Sequence, residues 1–205
     1  NTSPIYASLQ SATANIHGAS QSINEAQIQH IVQRLAKANT VYIMGFGLSS
    51  NLAGMLSQHL QTFCNHVVEV VTYGGTEVAA GNLVKITDKD VLIVLSFPRY
   101  ALDAVRLMQF ARDYSACIVA ITDSTASPIA QLADYLLLAP SSHAVLPSSA
   151  TAALAVIELL VSSIMISNKK NVEKAAKLTQ AISGYLHRND QAARTTQLDS
   201  YKLKK

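Results

Sequence analysis

Hydrophobic positions along the 205-residue chain fall into runs of two kinds. Ile5, Leu9, Ala12 and Ile16 recur at helical spacing and predict a helix over residues 4–16. Gly18-Ala19-Ser20-Gln21-Ser22 is expected to break it. Ile28, Ile31, Val32 and Leu35 form the apolar face of a second helix, with Asn24 at the N-cap position and Gln27 three residues on. From residue 41 the two kinds of run alternate. Strands are predicted over 41–46, 67–71, 91–96, 117–122 and 135–139. Helical stretches follow them over 50–63, to about residue 83, over 102–114, near 128–133, and over 149–166. A last helix is predicted over 172–186.

The strand runs are continuously apolar, not alternating, as expected of parallel strands covered on both faces. Strands alternating with helices predict right-handed crossovers and a doubly wound α/β sheet. Ligands of such sheets bind at the carboxyl ends of the strands. Four segments fall at such ends: Gly45-Phe46-Gly47-Leu48-Ser49-Ser50, Thr72-Tyr73-Gly74-Gly75, Ser96-Phe97-Pro98-Arg99-Tyr100 and Thr122-Asp123-Ser124.

Composition narrows the class. Hydrophobic residues make up 49% and charged residues 14%, which predicts extensive burial, including a subunit interface. The net charge of +3 is uneven: −3 up to Asn168 and +6 after it. The basic end reads as a solvated helix face and a frayed tail, with an acidic partner or nucleic acid as the alternative. Cys64 and Cys117 lie far apart in apolar surroundings and read as free thiols of a cytoplasmic protein. No signal peptide is recognised at the start. The apolar stretch 152–166 carries Glu158 and falls short of the roughly 20 residues of a membrane span, so a buried helix is expected.

The first loop is the centre of the chemistry. Gly45 and Gly47 permit a sharp turn and close approach of a ligand. The helix behind them offers unpaired N–H groups and the positive end of its dipole, and Ser49 and Ser50 add hydroxyls, a combination suited to phosphate. The bland alternative is a turn that only packs a helix on a sheet. In the third-strand loop, Ser96 offers a hydroxyl and Arg99 a fixed charge with fork geometry; the alternative for Arg99 is a surface ion pair with Asp103. Asp123 reads as a cap. Glu158, within an apolar helix, reads as a buried carboxylate with a local partner or at a dimer seam, or else as a general base. The histidines at 17, 30, 59, 66, 143 and 187 show no metal-ligand spacing, so no metal or other cofactor is expected; His143 is the one placed near the cleft. Gly45-x-Gly47 with Glu69 in the next strand also fits part of a dinucleotide fingerprint. Ser50 at the third glycine position, the apolar neighbours of Glu69 and the lack of a second domain weigh against it.

These residues resemble the sugar isomerase (SIS) domain of RpiR-type transcriptional regulators. Gly45-Phe46-Gly47-Leu48-Ser49-Ser50 resembles the glycine–serine loop of SIS domains. The run from Val91 to Tyr100 is similar to the third strand and loop of the regulator variant, and Ile121-Thr122-Asp123-Ser124 with Ser127-Pro128-Ile129-Ala130 is similar to its next strand and short helix. The resemblance covers residues 23–186. It implies a five-stranded parallel sheet in the flavodoxin-like order 2-1-3-4-5 with helices on both faces, flanked by extra N- and C-terminal helices. It divides the chain into a linker helix (1–22), an SIS domain (23–187) and a basic tail (188–205). It also implies a homodimer and a bound sugar phosphate, with Gly45, Gly47, Ser49, Ser50, Ser96, Arg99 and Tyr100 as ligand-binding residues. DNA would be reached only through an N-terminal helix-turn-helix domain that this chain lacks. The second loop departs from the family pattern Ser-x-Ser-Gly-x-Thr: Ser96 is kept, while Pro98, Arg99 and Ala101 replace the second serine, the glycine and the threonine. The effector is therefore expected to be a phosphate gripped mainly by Arg99, or a sugar acid. No residue matches the isomerases' catalytic glutamate and histidine, so a non-catalytic sensor is expected. An aldose–ketose phosphate isomerase using Glu158 or His143 as base is the alternative.

Overall fold

In the computed structural model the structure describes residues 3–185. The helices are α1 (Pro4–Ser22), α2 (Glu25–Lys37), α3 (Leu48–Leu60), α4 (Gly75–Leu83), α5 (Leu102–Asp113), α6 (Thr151–Ile166) and α7 (Lys169–Ile182). The strands are β1 (Val41–Gly45), β2 (Val67–Glu69), β3 (Val91–Leu95), β4 (Cys117–Thr122) and β5 (Tyr135–Leu138). They form one parallel sheet in the order β2-β1-β3-β4-β5, as the family resemblance implies.

The continuous apolar strands divide their side chains between two cores. Val41, Ile43, Ile93, Leu95, Val119 and Ile121 face a layer built from α1, α2, α3 and α6. Tyr42, Met44, Leu92, Val94, Ile118 and Ala120 face α4 and α5. Burial on both faces is why these strands carry no polar alternation. Asn24 caps α2 as expected, its side-chain oxygen accepting from Gln27 N–H at 3.1 Å.

Two readings of the sequence need correction. Helix α1 does not break at residues 18–22 but runs through to Ser22. Ser20 and Ser22 donate their hydroxyls to the carbonyls of His17 and Ala19 within the helix. Gly18 serves packing: a Cβ there would lie 3.2 Å from Pro140 Cγ, in the segment after β5. Beside it the buried Asn15 donates its amide to the Ser142 carbonyl at 2.7 Å. Glu158 is the second correction, because it is exposed and not buried. The faces of α6 toward α1, α2, α3 and α7 bury Ala152, Ala153, Val156, Ile157, Leu160 and Ile164, and Glu158 lies off them. The expected basic tail lies outside the described residues, apart from the α7 lysines.

Asp90 ties the lower edge of the sheet. It is 5% exposed and accepts three hydrogen bonds. Oδ1 takes Thr40 N–H at 3.0 Å, and Oδ2 takes Thr87 N–H at 2.8 Å and Thr87 Oγ1 at 2.9 Å. Its carbonyl accepts from Cys117 N–H at 3.2 Å. One carboxylate therefore fixes the starts of β1 and β3 and, through its backbone, β4. Asp90→Ala strands three donors and is expected to cost about 2–4 kcal/mol in urea unfolding. A cost below about 1 kcal/mol would show that water replaces the carboxylate there.

Candidate functional site

Strand register builds the site. Gly45 pairs with Leu95, and Leu95 with Ile121, so β1, β3 and β4 end level with one another. The loops after β1 and β3 are therefore neighbours on one edge. In the first loop two glycines answer different demands. Gly47 caps α3 with φ +57°, a backbone conformation that favours glycine, although a Cβ there would meet nothing within 4 Å. Gly45 has ordinary backbone, but a Cβ on it would overlap the Ser49 carbonyl oxygen. The first turn of α3 thus lies directly on the end of β1.

The two serines of this turn differ. Ser50 donates its hydroxyl to the Gly47 carbonyl at 2.7 Å and is spent on the turn. Ser49 is half-buried, and its hydroxyl has no partner among the described residues. It sits at the helix N-terminus, where the dipole favours an anion.

The second loop starts at the buried Ser96. Its N–H donates to the Ile121 carbonyl at 3.2 Å, and its carbonyl accepts from Thr122 Oγ1 at 2.6 Å. Its hydroxyl has no partner among the described residues. Arg99 is exposed and in no ion pair among the described residues. The Asp103 carboxylate accepts from the Thr76 hydroxyl instead. Tyr100 turns away from the cleft and donates its phenol to Asp123 Oδ1 at 2.6 Å.

These loops enclose a cavity of about 310 Å³. Its wall includes Gly47, Ser49, Ser96 and Arg99 of the sequence-predicted residues. Gly45, Ser50 and Tyr100 are not in its lining. The far wall is Leu146, Pro147 and Ser148 from the β5–α6 loop, which the sequence reading did not single out. The available signal was topological, since every loop after a strand of this sheet emerges on the same edge. His143 shapes that loop: its Nδ1 accepts from Val145 N–H at 3.0 Å and Leu146 N–H at 2.9 Å. A larger depression of about 690 Å³ runs along α1 from Tyr6 to His17, but a single helix lines it and no second element converges there. The described residues contain no group of three or more His, Cys, Asp or Glu able to hold a metal ion. Among them no single helix is long and apolar enough to cross a membrane.

Among the described residues, the cleft thus combines one free guanidinium, the uncommitted hydroxyls of Ser49, Ser96 and Ser148, and a helix N-terminus. This arrangement can grip an anionic group from several sides. Chains of known kind carry the same architecture. The sugar isomerase domain of an RpiR transcription factor from Sphaerobacter thermophilus superposes with TM-score 0.76 at 23% identity, over 89% of this chain and 99% of that one. The Vibrio vulnificus NanR protein, solved in complex with ManNAc-6P, superposes with TM-score 0.74 at 19% identity, over 88% of this chain and 69% of that one. A phosphoheptose isomerase from Francisella tularensis shares the fold as well, with TM-score 0.65 at 15% identity, over 80% of this chain and 98% of that one. By sequence, an uncharacterised HTH-type transcriptional regulator of Haemophilus influenzae is 28% identical over 131 residues, 63% of this chain and 44% of that protein. The chain spans less than half the length of that curated relative. Residues 34–163 match the SIS domain, and the chain belongs to that family.

Proposed function

We propose that this SIS domain is the non-catalytic effector-binding part of an RpiR-type transcriptional regulator, taking a sugar phosphate or sugar acid in the cleft of Ser49, Ser96 and Arg99. The observation that carries this reading is the convergence of those three side chains on one cavity at the N-terminus of α3. The similarity to a transcription factor's sugar isomerase domain and to NanR supports it. The isomerase reading needs a base beside the sugar carbonyl. Among the described lining residues Arg99 is the one ionisable side chain, Glu158 is on the surface of α6, and the His143 Nδ1 is occupied by its own loop. In this reading DNA is bound by a helix-turn-helix domain joined ahead of α1, and the protein works in the cytoplasm.

Calorimetry against sugar phosphates, including N-acetylmannosamine 6-phosphate, and against sugar acids tests the proposal. Binding of at least one without turnover is expected. Silence across the panel, or ketose formation abolished by Glu158→Gln, would overturn it.

Arg99→Ala is expected to weaken binding of the best panel member by about 2–3 kcal/mol, the scale of a hydrogen bond to a charged group. Thermal stability without ligand should hardly move, because an exposed arginine contributes little to folding. Arg99→Lys should restore only part, since lysine lacks the planar fork. Unchanged binding in Arg99→Ala would leave recognition to the serines and backbone alone.

The domain is also proposed to be a two-fold homodimer. Ile5 and Leu9 on α1, Ile166 at the end of α6, and Leu178 and Ile182 on α7 are large apolar side chains left exposed in the single chain. Light scattering at micromolar concentration should give twice the 22.0 kDa chain mass. A stable monomer would refute it.

A further inference from the structure

Next to the cleft lies a polar cluster of Tyr100, Thr122, Asp123 and Ser127, none of which is in the cavity lining. Thr122 is fully buried, and its Oγ1 donates to the Ser96 carbonyl at 2.6 Å and lies 2.8 Å from Ser127 Oγ and 3.3 Å from Asp123 Oδ1. Asp123 Oδ1 in turn accepts the Tyr100 phenol at 2.6 Å. Asp123 follows β4, whereas Tyr100 belongs to the loop after β3. The hydrogen bond therefore ties the two neighbouring loops together, with Arg99 one residue from the tie. Residues on both sides of Arg99 are held. Ser96 and Phe97 are buried, Pro98 has a fixed φ, and Tyr100 is anchored, so of these five residues Arg99 alone is exposed. Burial first, and Asp123 second, push the Tyr100 phenol up to about 12. It thus remains a protonated donor throughout the neutral range.

We infer that Tyr100 and Asp123 are a positioning pair that holds the loop carrying Ser96 and Arg99 in its anion-gripping shape. The physical gain is preorganisation. A loop already fixed in its bound conformation loses less freedom when the anion arrives. Tyr100 therefore acts on the ligand through Arg99 and not by touching it. The inference rests on the effector-binding reading of the cleft, which it extends from the residues that grip to the residues that set the grip.

The experiment uses the full chain and two readouts. The first, with no ligand, is amide hydrogen exchange at Phe97, Arg99, Tyr100 and Ala101. Tyr100→Phe keeps the ring and removes the donor, and is expected to speed exchange there about five- to tenfold, the worth of one hydrogen bond. The second is titration with inorganic phosphate, followed through the amide signals of Gly47 and Ser49. Phosphate should bind Tyr100→Phe about five- to tenfold more weakly than wild type. Asp123→Ala should copy that loss, whereas Asp123→Asn keeps an acceptor oxygen and should stay within about twofold. In an Arg99→Ala background, adding Tyr100→Phe should change phosphate affinity by less than about twofold, because the two residues act as one unit. Wild-type exchange rates and wild-type affinity in Tyr100→Phe would overturn the pair while leaving the cleft reading intact. The same loss persisting in full without Arg99 would show a general structural defect and overturn it too. Failure of phosphate to bind the wild type would overturn the pair's role in anion binding, while the cleft reading is decided by the calorimetric panel.

Discussion

The site depends on parallel pairing. In an antiparallel sheet, consecutive loops alternate between edges. Here every strand runs the same way, and the even register of β1, β3 and β4 brings their last residues to one line. Three stretches of chain, 46–49, 96–101 and 146–148 of the β5–α6 loop, meet around one cavity although each lies about fifty residues from the next. No side chain on its own makes the anion site. It exists because Gly45 lets the first turn of α3 rest on the end of β1, and because β3 stops beside it.

This arrangement explains why the fold was so legible in the residues. The three central strands are almost wholly apolar because α1, α2, α3 and α6 cover one face and α4 and α5 the other, and that requirement is written directly into Val41–Gly45, Val91–Leu95 and Cys117–Thr122. Helical spacing was equally plain in α2 and α5. What misled was punctuation. The glycine and serines of residues 18–22 look like a break, yet they continue α1, because Gly18 answers a contact with Pro140 that lies 122 positions away and cannot be seen locally. Glu158 looked buried because its neighbours are apolar. The helix has one outward line, and Glu158 stands on it.

The site was legible in part for the same reason. Gly47, Ser49, Ser96 and Arg99 lie in loops that follow obvious strands, and the structure gathers them around one space. The roles of Ser50 and Tyr100 were not readable, since a hydroxyl looks the same in sequence whether it faces a cavity or its own backbone. The wall formed by Leu146, Pro147 and Ser148 carries no chemical signature; its place follows from the path of the chain from β5 into α6. The electrostatics are correspondingly simple. One guanidinium stands free at the mouth, while the acids nearby are engaged elsewhere, Asp103 by Thr76 and Asp123 by Tyr100.

The contact of α1 with the segment after β5 has a mechanical consequence. Asn15 and Gly18 press the helix onto Pro140 and Ser142, and six residues further on the same segment forms the cavity wall at Leu146. Helix α1 has 19 residues, about 28 Å at 1.5 Å per residue, and its bearing lies near the end remote from Pro4. It rests there on the segment that leads to the cavity wall, and along its length on α6. By rigid geometry, a tilt of about 5° about that contact would carry the Pro4 end through roughly 2 Å.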